Sequence, residues 1–432
     1  MMSDKRSNSR LSTRDCERID DEHGVKNYKR KDFVPSRTKG AYLWTPEDVR
    51  LLDLLASYGA VMEHCWDLPI DALIKCLTDP QQQMDAVSAA VTTPYRARFQ
   101  LAVTRFTGYK RVFAKCGGGE MVETAYSALF RHATMRGIPQ EDQEVVLIDK
   151  FFHGRMRSSQ TNSSDLHQRT GKGPRVRGFN TVLRDIEAVR EALMKPNCIG
   201  IVLEKHQGEA GPIFDARGKD SFYREIHTIA RQLGKLIVVD EVQSGLYRCG
   251  YKMSWMEDGP QYRPDATVLA KILGGGIEPI SAIVCNDDFA KAWTPGSDGS
   301  TFGGFPPACA AATAVIEYME QHPELGERSI AVGKRFADKL SGIPHVSVDY
   351  RGSMIGVFVE SLSSAEDICH DILKAKRGAY LIPGHAYEHG TYIRISPAFK
   401  AITDGDIDDI CRFTLRPVLE KVSLEIIKGE KW

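Results

Sequence analysis

Six short apolar runs, separated by segments of helical pattern, constrain this chain more than any other feature. Val112–Ala114, Glu144–Ile148, Ile199–Leu203, Leu236–Val239, Thr267–Ala270 and Ile280–Val284 are short and rich in β-branched residues. Strands buried on both faces of a parallel sheet read this way. The stretches Glu120–Met135, Leu183–Met194 and Ser221–Leu233 between them are helix candidates. The alternation predicts an α/β domain with a mostly parallel sheet, whose ligands bind at the carboxyl ends of the strands.

A chain of 432 residues is too long for one small core. Residues 1–25 are polar with both signs of charge and read as a loosely ordered arm. An N-terminal segment, 26–75, contains two short strands, Gly40–Trp44 and Val49–Leu55, around the turn Thr45–Asp48. The strand-helix alternation assigns 76–310 to the large domain. After the helix Pro307–Gln321 the pattern changes. A helix at Ser329–Leu340, strands around Val346–Val348 and at Met354–Val359, and a closing helix from Asp406 predict a smaller α+β C-terminal domain, 311–432.

Lys+Arg and Asp+Glu number 57 each with no long block of one sign, which argues against nucleic acid or an anionic membrane as partner. No apolar run reaches the roughly 18 residues of a bilayer span, and the first 25 residues lack the apolar core of a signal peptide. Ten cysteines are scattered without CxxC or Cys/His metal spacing, so reduced thiols in a cytoplasmic compartment are expected, with neither disulfide nor metal. Small-molecule chemistry is the remaining expectation.

The residues suited to such chemistry fall at strand ends. Asp240 closes the run 236–239 in Asp240-Glu241-Val242-Gln243, and Lys271 follows Ala270 and precedes Gly274-Gly275-Gly276. A lysine amine can condense with an aldehyde, and a carboxylate can hold a heterocyclic nitrogen protonated; together they are what a pyridoxal-phosphate site requires. Alone, the lysine is a loop residue and the aspartate a helix cap. Gly117-Gly118-Gly119 opens the helix at Glu120, where backbone N–H groups can hold a phosphate, or where the chain simply turns. Phe152-His153-Gly154-Arg155 follows the second run and offers a stacking ring and a carboxylate-binding guanidinium. Ser300-Thr301 places two hydroxyls in a glycine-rich loop. Glu204 and Glu209 follow the run 199–203, while His153 and His206 read as orienting or structural groups.

The segment Asp240-Glu241-Val242-Gln243-Ser244-Gly245-Leu246-Tyr247-Arg248-Cys249-Gly250, then Lys271, then Gly299-Ser300-Thr301-Phe302-Gly303-Gly304 closely resembles the signature of class III, fold-type-I aminotransferases, from about Gly40 to the C-terminus. The resemblance implies pyridoxal 5′-phosphate as cofactor, Lys271 as the Schiff-base lysine and Asp240 as partner of the ring nitrogen. It assigns Gln243 to the cofactor 3-hydroxyl, Phe152 to the ring face and Gly118 and Gly119 to the phosphate. Ser300 and Thr301 would reach the phosphate of a neighbouring subunit, which implies a homodimer with shared sites. On the substrate side the chain is similar to ornithine and acetylornithine aminotransferases. Tyr28 and Tyr58 would define an ornithine pocket and Arg155 would hold the α-carboxylate. Glu209 and Arg394 would pair when a diamine reacts and separate when 2-oxoglutarate or glutamate binds.

Several positions depart from that pattern. The phosphate turn is Cys116-Gly117-Gly118-Gly119, without side-chain hydroxyls. Glu63-His64-Cys65-Trp66-Asp67 replaces a Gly-His-Cys-His-Pro run, Thr93-Pro94-Tyr95-Arg96-Ala97-Arg98 adds positive charge, and Met-Arg follows Arg155. The resemblance implies transfer of the distal amino group of ornithine, or of a similar diamino acid, to 2-oxoglutarate in ping-pong fashion. The alternatives are another ω-amino donor (N-acetylornithine, lysine, diaminobutyrate or 4-aminobutyrate), an isomerase, decarboxylase or racemase on the same scaffold, and a catalytically silent binding protein.

Overall fold

The computed structural model describes residues 11–29, 31, 33–209, 213–216, 218–360, 365–385 and 391–428. Part of the segment 1–25, read from the sequence as an arm, has regular structure. Thr13–His23 is helical because Ser12 and Asp15 form a reciprocal capping box, which satisfies N–H groups that the first turn leaves open. Residues 1–10 lie outside the described residues. None of the helix's side chains is buried, so local capping, and no apolar face, accounts for it.

Strands β1 (Arg37–Lys39), β2 (Tyr42–Trp44) and β3 (Arg50–Asp53) form an antiparallel meander. The large sheet follows with β4 (Arg111–Lys115), β5 (Glu144–Ile148), β6 (Phe179–Val182), β7 (Cys198–Leu203), β8 (Leu236–Asp240), β9 (Ala266–Leu269) and β10 (Ser281–Cys285), in the order β4-β10-β9-β8-β7-β5-β6. Every pairing from β9 to β6 is parallel, and β10 alone runs against both its neighbours. β7 is buried at all six positions. At Gly200 within it, a Cβ would stand 2.3 Å from the Leu236 carbonyl, so only glycine lets β7 and β8 approach. The strand β6 has no counterpart among the six apolar runs. It lies on the sheet's edge, half-buried throughout, and its Phe-Asn-Thr-Val needs no continuous apolar pattern.

The C-terminal unit holds β11 (Val346–Arg351), β12 (Met354–Val359), β13 (Ala379–Tyr380), β14 (Ile382–His385) and β15 (Thr391–Ile395). Four of these form an antiparallel sheet, β11-β12-β15-β14, while β13 joins β3 in parallel. Arg248, fully buried, ties the parts together. It donates to the carbonyls of Gly59 (3.0 Å), Val61 (3.2 Å) and Pro397 (2.7 Å). No helix among the described residues is long and apolar enough to cross a membrane. No group of three or more His, Cys, Asp or Glu among them is placed to hold a metal ion.

Candidate active site

Because β4, β5, β7, β8 and β9 share one direction, the loops after them converge at one edge of the sheet. They enclose a cavity of about 570 Å³ lined by Gly117, Gly118, Gly119, Phe152, Asp240, Gln243 and Lys271, with His64, His153 and Glu204. Lys271 sits just beyond β9 with φ 47° and opens a single tight turn, Lys271–Gly274. It is partly buried and lines the cavity. Desolvation lowers its amine from the usual 10.5 to about 8, against the opposing pull of Glu209, Asp240 and Glu204.

Asp240 ends β8 with both oxygens committed. Oδ2 lies 2.7 Å from His153 Nδ1, and Oδ1 accepts the Val242 N–H at 2.9 Å. His153 stacks on Phe151 with ring centroids 4.7 Å apart. Its Nε2 is buried without a hydrogen-bond partner. Glu204 accepts the Phe152 N–H at 2.9 Å and so fixes the residue that overhangs the cavity. Burial first, and Asp240 second, push its carboxyl well above the usual range.

The glycine turn begins the 18-residue helix Gly118–Met135. Glu120 accepts the N–H groups of Cys116 (3.3 Å) and Gly117 (3.4 Å), leaving those of Gly118 and Gly119 in the open first turn. A Cβ on Gly118 would stand 3.0 Å from Val242, so the turn packs against the segment after Asp240. A desolvated amine, a fixed carboxylate, an overhanging aromatic ring and an N-terminal helix cradle fit a phosphorylated pyridine aldehyde.

A second hollow, of about 650 Å³, shares Phe152 with the first and is lined by Tyr28, Tyr58, Arg155, Glu209 and Arg394. Arg394, on β15, donates from Nη1 to Glu209 Oε2 at 2.7 Å and from Nη2 to the Tyr392 hydroxyl at 3.1 Å. The arginine side chain is 5% exposed and the glutamate 26%, so the pair faces the hollow from the carboxylate side. Arg155 stands 4.8 Å from the Tyr28 ring centroid, a cation–π distance.

Tyr58 comes from a strained turn. Ala56, Ser57 and Tyr58 have φ of 44°, 52° and 59°, a left-handed backbone that costs each non-glycine residue free energy. Asp53 holds one end: its Oδ1 accepts the N–H groups of Leu55 and Ala56, each at 2.9 Å, and its Oδ2 lies 2.7 Å from His64 Nε2. Arg248 holds the other end through Gly59 and Val61. The Asp53–His64 pair is invisible to sequence reasoning, since nothing in its spacing announces a contact across a turn.

Ser300 and Thr301 do not line either hollow. Ser300 faces a separate depression of about 200 Å³ beside β4, and Thr301 is exposed. His206 is buried away from the cavity, where desolvation lowers it to about 4. It therefore accepts the Asp215 N–H at 3.1 Å as a neutral structural group.

Residues 24–414 match the model of a family described as Aminotransferase class-III. An ornithine aminotransferase of Geobacillus sp. (strain WCH70) is 32% identical over 394 residues, covering 90% of this chain and 95% of the relative. A crystal structure of the ornithine aminotransferase of Toxoplasma gondii, described with partial occupancy of PLP at its active site, superposes with a TM-score of 0.86 at 27% identity, covering 96% of each chain. The acetylornithine aminotransferase of Elizabethkingia anophelis, at 24% identity and a TM-score of 0.80, covers 96% of this chain and all of its own, and shares the fold.

Proposed function

The chain belongs to the class-III aminotransferases, and on that premise we propose that it is a pyridoxal-phosphate enzyme moving the distal amino group of ornithine, or of a closely similar diamino acid, to 2-oxoglutarate. The products are glutamate semialdehyde and glutamate, made in two alternating half-reactions. When bound, the cofactor supplies an electron sink that lets an amino group change carbon skeletons.

The protein's own groups do the rest. Lys271, with its amine lowered to about 8, can both hold and release a proton near neutral pH, which suits it to move the proton at the carbon bearing the amine. Asp240, fixed by His153 and Val242, holds the ring-nitrogen proton. Gln243 takes the 3-hydroxyl, Phe152 the ring face, and the N–H groups of Gly118 and Gly119 the phosphate. Arg155 binds the α-carboxylate between Tyr28 and Tyr58, which leaves the distal amine free to react. Arg394, screened by Glu209 while a diamine occupies the site, is released to bind the second carboxylate of the acceptor. Ser300 and Thr301 complete the phosphate site of a second copy, so the working unit is a homodimer.

One observation carries the substrate reading: a second hollow, which shares Phe152 with the Lys271 cavity, gathers two tyrosines, an arginine and a closed Glu209–Arg394 pair. The ornithine aminotransferases among its relatives support the same choice. The test is a donor screen on cofactor-loaded protein, following loss of the cofactor's visible absorption band in a single half-reaction. Ornithine should convert the cofactor faster than N-acetylornithine, lysine or 4-aminobutyrate. If ornithine left the band unchanged while N-acetylornithine bleached it, the donor assignment would fall and the transamination would stand.

A further inference from the structure

Lys115 is the last residue of β4 and immediately precedes Cys116-Gly117-Gly118-Gly119. Its ammonium, on a side chain 7% exposed, lies 2.7 Å from Asp298 Oδ1. That same oxygen accepts the Gly299 N–H at 2.7 Å, so Asp298 is fixed where the loop 298–304 leaves the body of the protein.

The other end of the loop is fastened by Arg96, from the first turn of the helix Pro94–Thr107. Its guanidinium donates to the carbonyls of Ala89 (2.9 Å), Val91 (2.7 Å) and Gly303 (3.1 Å). Its Nε is buried without a hydrogen-bond partner. The fit is close: Gly304 has φ 72°, and a Cβ there would stand 2.5 Å from Arg96 Nε. A Cβ on Gly303 would meet the Ala114 carbonyl of β4 at 3.0 Å. Between the two anchors the apex projects outward, with Thr301 exposed and Phe302 51% exposed.

Two cations thus hold a loop whose apex carries two hydroxyls, neither of which lines the cavity or the second hollow of its own chain. The turn beside one of them, Cys116–Gly119, has no side-chain hydroxyl of its own. We infer that Arg96 and Lys115 are positioning residues for a cofactor phosphate bound by a second copy of the chain: they preset the Ser300–Thr301 apex, which offsets the hydroxyls missing from the glycine turn. This rests on the proposed pyridoxal-phosphate function and its homodimer. A preset apex loses less conformational freedom on gripping the phosphate than a loose one would, and Arg96 adds positive charge at its base. Because Lys115 adjoins the glycine turn of its own site and grips the loop that serves the other, the ion pair also joins the two sites mechanically.

The phosphate is the discriminating handle. Full-length protein stripped of cofactor is titrated with pyridoxal 5′-phosphate and, separately, with pyridoxal, following protein fluorescence at equilibrium. Lys115→Met and Arg96→Lys should each weaken the phosphorylated compound about tenfold or more while leaving pyridoxal within about twofold. Asp298→Asn, a milder change that keeps the loop's size, should act in the same direction. Combined with Lys115→Met it should add little, because both remove one interaction. Equal losses for the two compounds, or no loss for either, would overturn the inference and leave the proposed activity intact. A parent protein that bound neither compound would instead sink the activity on which the inference stands.

Discussion

Replacing Glu209 with alanine separates a substrate gate from an ordinary ion pair. Arg394 loses its 2.7 Å partner and keeps the Tyr392 hydroxyl at 3.1 Å, while its Nε has no partner already. Removing one member of a fully buried pair costs about 3–5 kcal/mol. Glu209 is 26% exposed, so water re-enters on its side and a loss of about 2 kcal/mol in folding stability is expected. The uncovered guanidinium can then be satisfied by a ligand carboxylate. A charge-assisted hydrogen bond contributes about 1.5–3 kcal/mol. At about 1.4 kcal/mol per tenfold, that raises kcat/KM for glutamate as donor by about ten- to a hundredfold relative to ornithine. The assay is the single half-reaction with each donor, paired with thermal unfolding with and without glutarate, which carries two carboxylates and no amine. Glutarate should stabilise the variant more than the parent. A variant that loses stability but keeps the parent's ornithine-to-glutamate ratio would refute the gate and leave a structural salt bridge.

Two further outcomes follow from the same geometry. At pH 7 about a tenth of Lys271 is neutral with its amine near 8, against about 0.03% for an ordinary lysine, so cofactor reloading should quicken about fivefold from pH 7 to 8 and level off by 9. Its folded pKa lies below the unfolded 10.5, so the unfolded chain binds the extra proton between about 8 and 10.5, and the cofactor-free protein should gain up to about 3 kcal/mol across that window. Urea unfolding should show this slope in the parent and not in Lys271→Met; equal slopes would contradict it. Asp53→Ala removes the acceptor for two buried N–H groups and for His64, a cost of about 3 kcal/mol, and frees the left-handed turn. Because that turn presents Tyr58, KM for ornithine should rise while KM for 2-oxoglutarate changes little. A parallel rise in both would assign Asp53 to general stability alone.

What a sequence discloses here depends on how local the cause is. The interior strands were legible because burial on both faces demands a continuous apolar run: β5 and β12 span the residues that the pattern marks, and β7 extends it by Cys198 alone. Edge strand β6 and helix Thr13–His23 escaped because one face is solvated in β6, and in the helix only Ser12 and Asp15 set the start. Asp240 and Lys271 were legible for a topological reason. A residue just after a parallel strand must lie at the carboxyl edge, so two such residues share a site wherever their strands are neighbours, as β8 and β9 are. The second hollow has no such rule. Glu209 and Arg394 are 185 positions apart, on a loop and on an antiparallel strand of the other domain, and only resemblance to a family could pair them in advance. Asp53 with His64, Lys115 with Asp298, and Arg96 with Gly303 had neither rule nor resemblance. The last two are the more instructive, because Arg96 belongs to a segment that departs from the family pattern and Lys115 adjoins another, the hydroxyl-free turn. A departure that deletes phosphate hydroxyls, read alone, suggests a weakened site. Seen with the charges that anchor the neighbouring loop, it implies a different division of labour between the two chains of the proposed homodimer. That is why cofactor affinity with and without the phosphate, measured in Lys115→Met, bears on both departures at once.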